Sequence, residues 1–166
     1  MARWTGTWLS GLAAAGVETR PAGGWRGRRW GLPPEGAGAV ATTGSRLAAL
    51  VLDLLSGALI GQLVLALLDS PSTDQRTLAV NGAFAAQVLL LTALTGQSLG
   101  KRVLGIRVVR LADRDGPPGL LSAAIHTALV MLVLPAVFID RDGRGLHDKA
   151  AGTLVVRTRE ARPFAA

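Results

Sequence analysis

The chain has 166 residues, of which 49% are hydrophobic, 17% charged and 4% aromatic. Soluble globular domains carry about a quarter of charged residues, so this composition is unusual for them, and it also excludes global disorder. The chain contains no cysteine, which excludes disulfide scaffolds, thiolate metal sites and cysteine nucleophiles. The net charge of +7 is typical of proteins that bind either nucleic acid or an anionic membrane surface.

Residues 1–43 form a leader rich in Gly, Pro, Ala and Arg, which contains all four tryptophans of the chain. Trp4 and Trp8 are spaced to share one face of a short helix. Tryptophan beside basic residues is typical of the headgroup zone of a membrane, and a flexible tail with an apolar patch is an equal alternative. The apolar run of the leader is short and is interrupted by Ser10 and Gly11, so we expect no cleaved signal peptide.

Three apolar blocks follow, at residues 47–68, 78–95 and 120–139. The first has 22 residues with Asp53 as its only ionisable group, and at about 1.5 Å per residue it matches the hydrocarbon thickness of a bilayer. A domain this small could not bury three such blocks and keep a polar surface. The sequence therefore predicts an all-α membrane protein with two to three transmembrane helices.

Two short segments at residues 105–110 and 152–157 share the pattern G-x-x-V-V-R. Their β-branched residues between turn formers predict strands, which would pair as a small cytoplasmic two-stranded β ribbon. Pairing requires both strands on the same side of the membrane. The block 120–139 would then enter the membrane and return near Pro135, and an ordinary third span is the alternative.

The positive charges are unevenly distributed along the chain. Residues 69–77 hold one Lys or Arg, whereas residues 1–46, 96–119 and 140–166 hold six, five and six. Because basic segments stay cytoplasmic, we expect the loop 69–77 to be external and the N-terminus cytoplasmic. This distribution accounts for the basic charge without nucleic acid, which we do not expect as a partner.

Arg46 and Asp53 lie seven residues apart, and at about 100° per residue they share a helix face with Gly57 and Gly61. The GxxxG pattern of the glycines is typical of close helix packing, so Asp53 is expected to face protein rather than lipid. A central Asp costs about 2.5–3.5 kcal/mol on insertion unless it is protonated or paired. Asp53 is interpreted either as a polar clasp between helices or as a proton- or cation-responsive carboxylate.

The polar stretch before the second strand contains His147 and Asp148. No second histidine stands at helical metal-ligand spacing, and His126 lies 21 residues upstream in an apolar block, so the sequence predicts no metal and no cofactor. No serine stands in a nucleophile elbow, so it predicts no enzyme. Asp148 is expected to cap a turn or to form a salt bridge with Lys101 or Arg102.

Three segments, taken in order, resemble the RDD family of small bacterial membrane proteins, which is named for one arginine and two aspartates. Arg46 and Asp53 in GSRLAALVLD match the arginine and the first aspartate, and Asp148 in LHDKAAGT matches the second. The segment GQSLGKRVLGIRVV is similar to the motif between them. Together with His147, the residues that carry this cytoplasmic motif are Gly96, Gln97, Gly100, Lys101 and Gly105.

The resemblance covers residues 44–157 and implies a membrane domain there, between the leader and a C-terminal tail at 158–166. It implies the bacterial plasma membrane, where family members are mostly unassigned and some act as cation/proton antiporters or as assembly partners. We therefore expect a non-catalytic accessory or scaffold subunit that contacts the lipid bilayer and packs against other membrane proteins or its own copies. The alternative is an oligomeric transporter in which Asp53 exchanges a proton for a cation.

Overall fold

The computed structural model describes residues 24–114, 116–132 and 144–159. Two long helices, α1 (Thr43–Leu65) and α2 (Thr73–Thr95), make up most of this part of the chain. Five short elements and a further helix of 13 residues complete it: a 3-10 helix (Arg28–Trp30), α3 (Leu99–Val103), β1 (Ile106–Arg110), α4 (Gly119–Met131), α5 (Leu146–Ala150) and β2 (Thr153–Arg157). This architecture confirms the predicted fold class of a mostly helical protein with a small two-stranded sheet.

Helix α2 begins at Thr73, inside the segment 69–77 that was predicted as a loop. The Ser72 side chain accepts a hydrogen bond from the backbone N–H of Gln75, and the Gln75 side chain accepts one from the backbone N–H of Ser72. This capping box satisfies amide groups that a helix start leaves open, so the polar first turn is helical despite its composition. The connection between α1 and α2 is correspondingly shorter.

In the described ranges, α1 and α2 are the two helices long and apolar enough to cross a membrane. Only 22% and 28% of their most apolar stretches are buried. A core helix of a soluble protein would be mostly buried, so these surfaces require an apolar surrounding such as lipid or another membrane helix. The most exposed large hydrophobic side chains of α1 are Leu55, Leu59 and Leu63, and those of α2 are Leu78 and Leu94.

One stripe of α1 is buried, and it repeats at every fourth residue. A methyl group added to Gly57 would lie 2.7 Å from Cβ of Phe84, and one added to Gly61 would lie 2.7 Å from Cα of Val80. The two helices therefore approach closely, as an antiparallel hairpin, because these two positions carry no side chain. The stripe consists of Ala49, Asp53, Gly57, Gly61 and Leu65.

Strands β1 and β2 pair antiparallel, with Val108 opposite Val155. One face of this ribbon packs on an apolar cluster that includes Val40, and the other packs on a cluster that includes Ala49 of α1. The backbone N–H of Ala41 donates to the carbonyl of Val155 at 2.9 Å, so the chain before α1 runs along the second edge of β2. Burial on both faces stabilises a ribbon that two strands alone could not.

Helix α4 accounts for the first part of the apolar block 120–139. Its 13 residues span about 20 Å, which is less than the roughly 30 Å of hydrocarbon in a bilayer. Pro135, where the block was predicted to turn back, lies outside the described residues, as do Trp4 and Trp8 of the leader. The paired strands lie on either side of this block in the chain, an arrangement that the re-entrant interpretation requires.

Candidate functional site

The first turn of α1 and the short helix α5 are joined by an ion pair between Arg46 and Asp148. Arg46 Nη1 donates to Asp148 Oδ2 at 2.7 Å, and Arg46 Nη2 donates to the carbonyl of Val155 at 3.4 Å. The Asp148 side chain has no exposed surface, and that of Arg46 is 11% exposed. Asp148 also accepts from the backbone N–H of Gly145 at 3.3 Å. The pair thus fixes α5 and β2 to the start of α1.

Both histidines of the chain lie against the second oxygen of the same carboxylate. His126 Nδ1 and His147 Nε2 are each 3.5 Å from Asp148 Oδ1. The two rings meet edge to face, with centroids 4.7 Å apart. Thr153 Oγ1 lies 3.4 Å from Oδ1 and donates to it. A buried cluster of two imidazoles and one carboxylate therefore lies at the junction of α4, α5 and β2.

Gly145 makes room for the ring of His147. A Cβ atom at this position would lie 2.4 Å from Cε1 and 2.7 Å from Nδ1 of that imidazole. Any side chain here would displace the ring from Asp148. The glycine that precedes α5 is thus part of the construction of the cluster.

Asp53 lies further along α1 than Arg46, and its side chain is held by α3. Its Oδ1 accepts from the backbone N–H of Gly100 at 2.7 Å, and its Oδ2 accepts from the hydroxyl of Ser98 at 2.5 Å. Lys101 Nζ donates to the same Ser98 hydroxyl at 3.2 Å. A Cβ atom on Gly100 would lie 2.1 Å from the carbonyl oxygen of Ala49, so α3 reaches α1 only because this residue is glycine.

A second polar link joins the same turn of α1 to α2. Gln87 Nε2 donates to the backbone carbonyl of Asp53 at 2.7 Å and to Ser56 Oγ at 2.8 Å. Asp53 thereby lies where α1, α2 and α3 meet, and it faces protein. Its hydrogen bonds compensate much of the free energy that an isolated carboxylate would cost in an apolar environment.

A cavity of about 50 Å³ lies between Asp53 and the two histidines. Its ionisable walls are Arg46, Asp53, Lys101, His126 and His147, and Thr43 together with apolar side chains of α1, α2, α4 and β2 closes the rest. A space of this size accommodates a few water molecules or one small hydrated ion. The cavity therefore connects the carboxylate that was singled out in the first apolar block to the histidine cluster.

The ionisable groups outside the spanning helices are perturbed by this environment. Burial lowers the pKa of Lys101 below its ordinary value, although the Asp53 and Asp148 carboxylates act in the opposite direction. Burial alone would raise the pKa of Asp148, but the Arg46 guanidinium and the adjacent His126 side chain outweigh it and lower that pKa well below its usual range. Asp148 is therefore a carboxylate at every physiological pH.

The remaining residues of the cytoplasmic motif lie around the start of the ribbon. Gly96 ends α2 in the left-handed region at φ 73°, and its carbonyl accepts from Val108 at 2.7 Å. Gln97 Nε2 donates to the carbonyl of Ile106 at 3.1 Å. Gly105 enters β1 at φ 63°. These three residues shape the turn that carries α3 and β1, and they lie outside the cavity.

Several features of the site were not foreseen in the sequence. Asp148 caps the start of α5 through the Gly145 N–H, which confirms one of the two expectations. Its direct ion-pair partner, however, is Arg46, 102 residues away, and not Lys101 or Arg102, because α5 packs against the start of α1. His126 was set aside on its spacing from His147, yet the fold brings both to one carboxylate. The available signal was that one of only two histidines in the chain stands in an apolar block.

Comparison with known proteins identifies a family. The model of the family described as RDD family matches residues 40–152 of the chain. No curated protein and no solved structure matches it. The matched range contains Arg46, Asp53 and Asp148 together with both histidines.

Proposed function

The chain belongs to the RDD family, and on that premise we propose that it acts as a non-catalytic accessory subunit that packs against other membrane proteins or against its own copies. Family membership and the two apolar helices indicate a membrane protein. The accessory role is the function that the distribution of polar and apolar groups supports best.

The observation that carries this proposal is the position of Asp53. Its carboxylate oxygens accept hydrogen bonds from α3 and from Ser98, the residue that precedes α3, and its backbone carbonyl accepts one from Gln87 of α2. A carboxylate engaged in this way acts as a clasp between helices. The polar groups are thus directed inward, and the outward faces of the helices offer leucine side chains for contact with lipid or with another subunit.

The test is to purify the chain from its native membrane in a mild detergent. We expect a partner, or further copies of the chain, at fixed stoichiometry. Single cysteines at Leu55, Leu59 and Leu63 of the exposed α1 face should cross-link to that partner, and a cysteine at the buried Leu65 should not. A monomer with no cross-linked product from any of the exposed positions would contradict the proposal.

A second candidate function is cation/proton exchange by an oligomer, and the shared cavity favours it. Asp53 and Lys101 line that cavity together with His126, so a proton taken up there has several acceptors. The described residues contain two helices able to span a membrane, too few to enclose a path alone, so several copies would be required.

Cation/proton exchange can be tested by measuring cation flux in vesicles that contain the purified protein. A pH gradient should drive cation flux in the unaltered chain and not in Asp53→Asn, which keeps the size of the side chain and one oxygen acceptor. Asp69→Asn, at an exposed acid in the loop after α1, is the matched control and should keep the flux. Flux that persists in Asp53→Asn would eliminate this mechanism.

A further inference from the structure

We infer that His126, His147 and Asp148 form a binding site for a divalent transition-metal ion of the zinc type. The inference is independent of any partner subunit and of cation exchange at Asp53. It concerns the two imidazoles and the carboxylate oxygen that does not pair with Arg46. Two nitrogens and one oxygen are the donor set of zinc sites that keep one position open.

The distances between the donor atoms fit one ion. Asp148 Oδ1 is 3.5 Å from a nitrogen of each histidine, and all three donor atoms lie within 4.8 Å of one another. Bonds of about 2.0–2.1 Å to a tetrahedral ion imply edges of about 3.3–3.4 Å between ligands. Two of the three edges therefore already have nearly the required length, and the third, between the two imidazole nitrogens, is at most 4.8 Å.

One nitrogen atom of the cluster makes no hydrogen bond. His126 is 1% exposed, and within the described residues its Nδ1 has no hydrogen-bond partner. A buried nitrogen without a partner is unfavourable, and binding to a metal ion would satisfy it. The His147 ring is held beside it by the absence of a side chain at Gly145.

The surrounding groups orient the carboxylate for this role. Arg46 binds Oδ2 at 2.7 Å, which turns Oδ1 toward the two rings, and Thr153 donates to Oδ1 at 3.4 Å. Outer partners of this kind fix the ligands of metal sites in proteins. Both histidines also line the cavity, which provides space for water beside the cluster.

The local charge sets the expected strength of binding. Arg46 and Lys101 bring positive charge to the cavity, and Asp53 and Asp148 bring negative charge. The two cations repel a dication, while the two carboxylates attract it. We therefore expect the site to bind the ion with moderate affinity. A chelator should then remove the ion without unfolding the protein.

The chain is well suited to a spectroscopic test, because it contains two histidines and no cysteine. The full chain, freed of any histidine tag and treated with a chelator in detergent, is titrated with Co²⁺ and with Zn²⁺. We expect visible absorption bands of four-coordinate Co²⁺ at one ion per chain, and displacement of Co²⁺ by Zn²⁺. Absence of these bands together with absence of calorimetric binding of Zn²⁺ would overturn the proposal.

Variants then assign the ligands. His126→Gln and His147→Gln should each weaken Zn²⁺ binding by more than about tenfold, while Asp69→Asn, at an exposed acid, should leave it unchanged. Thermal unfolding of each metal-free variant shows whether it is folded. Equal affinity in a folded variant that lacks both histidines would place the ion elsewhere and refute the site.

A measurement on the unaltered chain covers the case in which a histidine variant does not fold. Cu²⁺ added at less than one ion per chain should give an electron paramagnetic resonance spectrum with nitrogen couplings from two imidazoles. Since the chain has no other histidine, these couplings can come only from His126 and His147. A spectrum without imidazole nitrogen couplings would also refute the site.

Discussion

Asp148 carries a full charge in a position that water does not reach, and Arg46 compensates that charge at 2.7 Å. Asp148→Asn leaves the guanidinium buried without its counter-charge. We expect this variant to lose about 3–5 kcal/mol of unfolding free energy, as is typical when one partner of a buried ion pair is removed. Denaturant titration in detergent measures the loss. The double variant Arg46→Leu with Asp148→Leu should lose less than the sum of the two single leucine variants, and simple additivity would contradict the pair.

The same carboxylate predicts how stability depends on pH. Although burial opposes it, Arg46 and His126 lower the pKa of folded Asp148 below the ordinary value of 3.8. The unfolded chain therefore takes up this proton at a higher pH than the folded chain does. The stabilisation is complete above about pH 4 and is lost as the pH falls further.

Melting temperatures of the unaltered chain and of Asp148→Asn, recorded between about pH 7 and pH 3, test this dependence. We expect the unaltered protein to lose its melting temperature more steeply in acid, so that the two curves converge. Parallel curves would mean that another acid controls the transition.

Arg46, Asp53 and Asp148 could be named from the sequence, but their partners could not. Arg46 and Asp53 lie on one helix face, which suggests a relation between them. In the fold, Asp53 bonds to α3 and Arg46 bonds to α5 instead. Helical spacing determines which side chains share a face, whereas ion pairs between distant segments depend on how α3 and α5 pack, which one chain's sequence does not encode locally.

At the level of the helices, the contact between α1 and α2 depends on the absence of side chains. A methyl group at Gly57 would overlap the Cβ and Cα of Phe84. We expect Gly57→Ala to lower the unfolding free energy by about 1–3 kcal/mol, the range typical of overpacking. Thermal unfolding in detergent measures the change.

Gly82 of α2 is the matched control for this substitution. A Cβ atom there would meet nothing within 4 Å. Gly82→Ala should therefore be neutral, or stabilising by up to about 1 kcal/mol through helix propensity. Equal destabilisation by both substitutions would show that glycine is needed at these positions for the backbone conformation and not for the contact between the helices.

The sequence predicted the long helices and both strands, but it missed two features of the structure. Apolar length predicted α1 and α2, and repeated β-branched residues predicted both strands, because these signals are local. The polar first turn of α2 was missed since its capping box, and not its hydropathy, makes it helical. The strand-like contact of Ala41 with β2 has no local pattern, because it arises from docking of the chain before α1.

The whole molecule is asymmetric along its long helices. The ribbon, α3 and α5 all lie at the end where α1 begins and α2 ends, and the connection between α1 and α2 lies at the other end. The ionisable cluster belongs to the first end, near the expected membrane surface. A protein built in this way gathers its buried charges at one end, and it presents apolar leucines along the rest of its length.

This asymmetry makes a prediction for the orientation in the membrane. Three exposed positions report on it as single cysteines in the cysteine-free chain: Thr73 at the start of α2, Ala112 after β1 and Thr158 after β2. Because the strands are paired, Ala112→Cys and Thr158→Cys must face the same side, and the charge distribution predicts that this side is the cytoplasm. A membrane-impermeant maleimide should therefore label Thr73→Cys in intact cells and the other two only after permeabilisation. Labelling of Thr158→Cys from outside while Ala112→Cys stays protected would be incompatible with the ribbon, since the block 120–139 would then cross the membrane once.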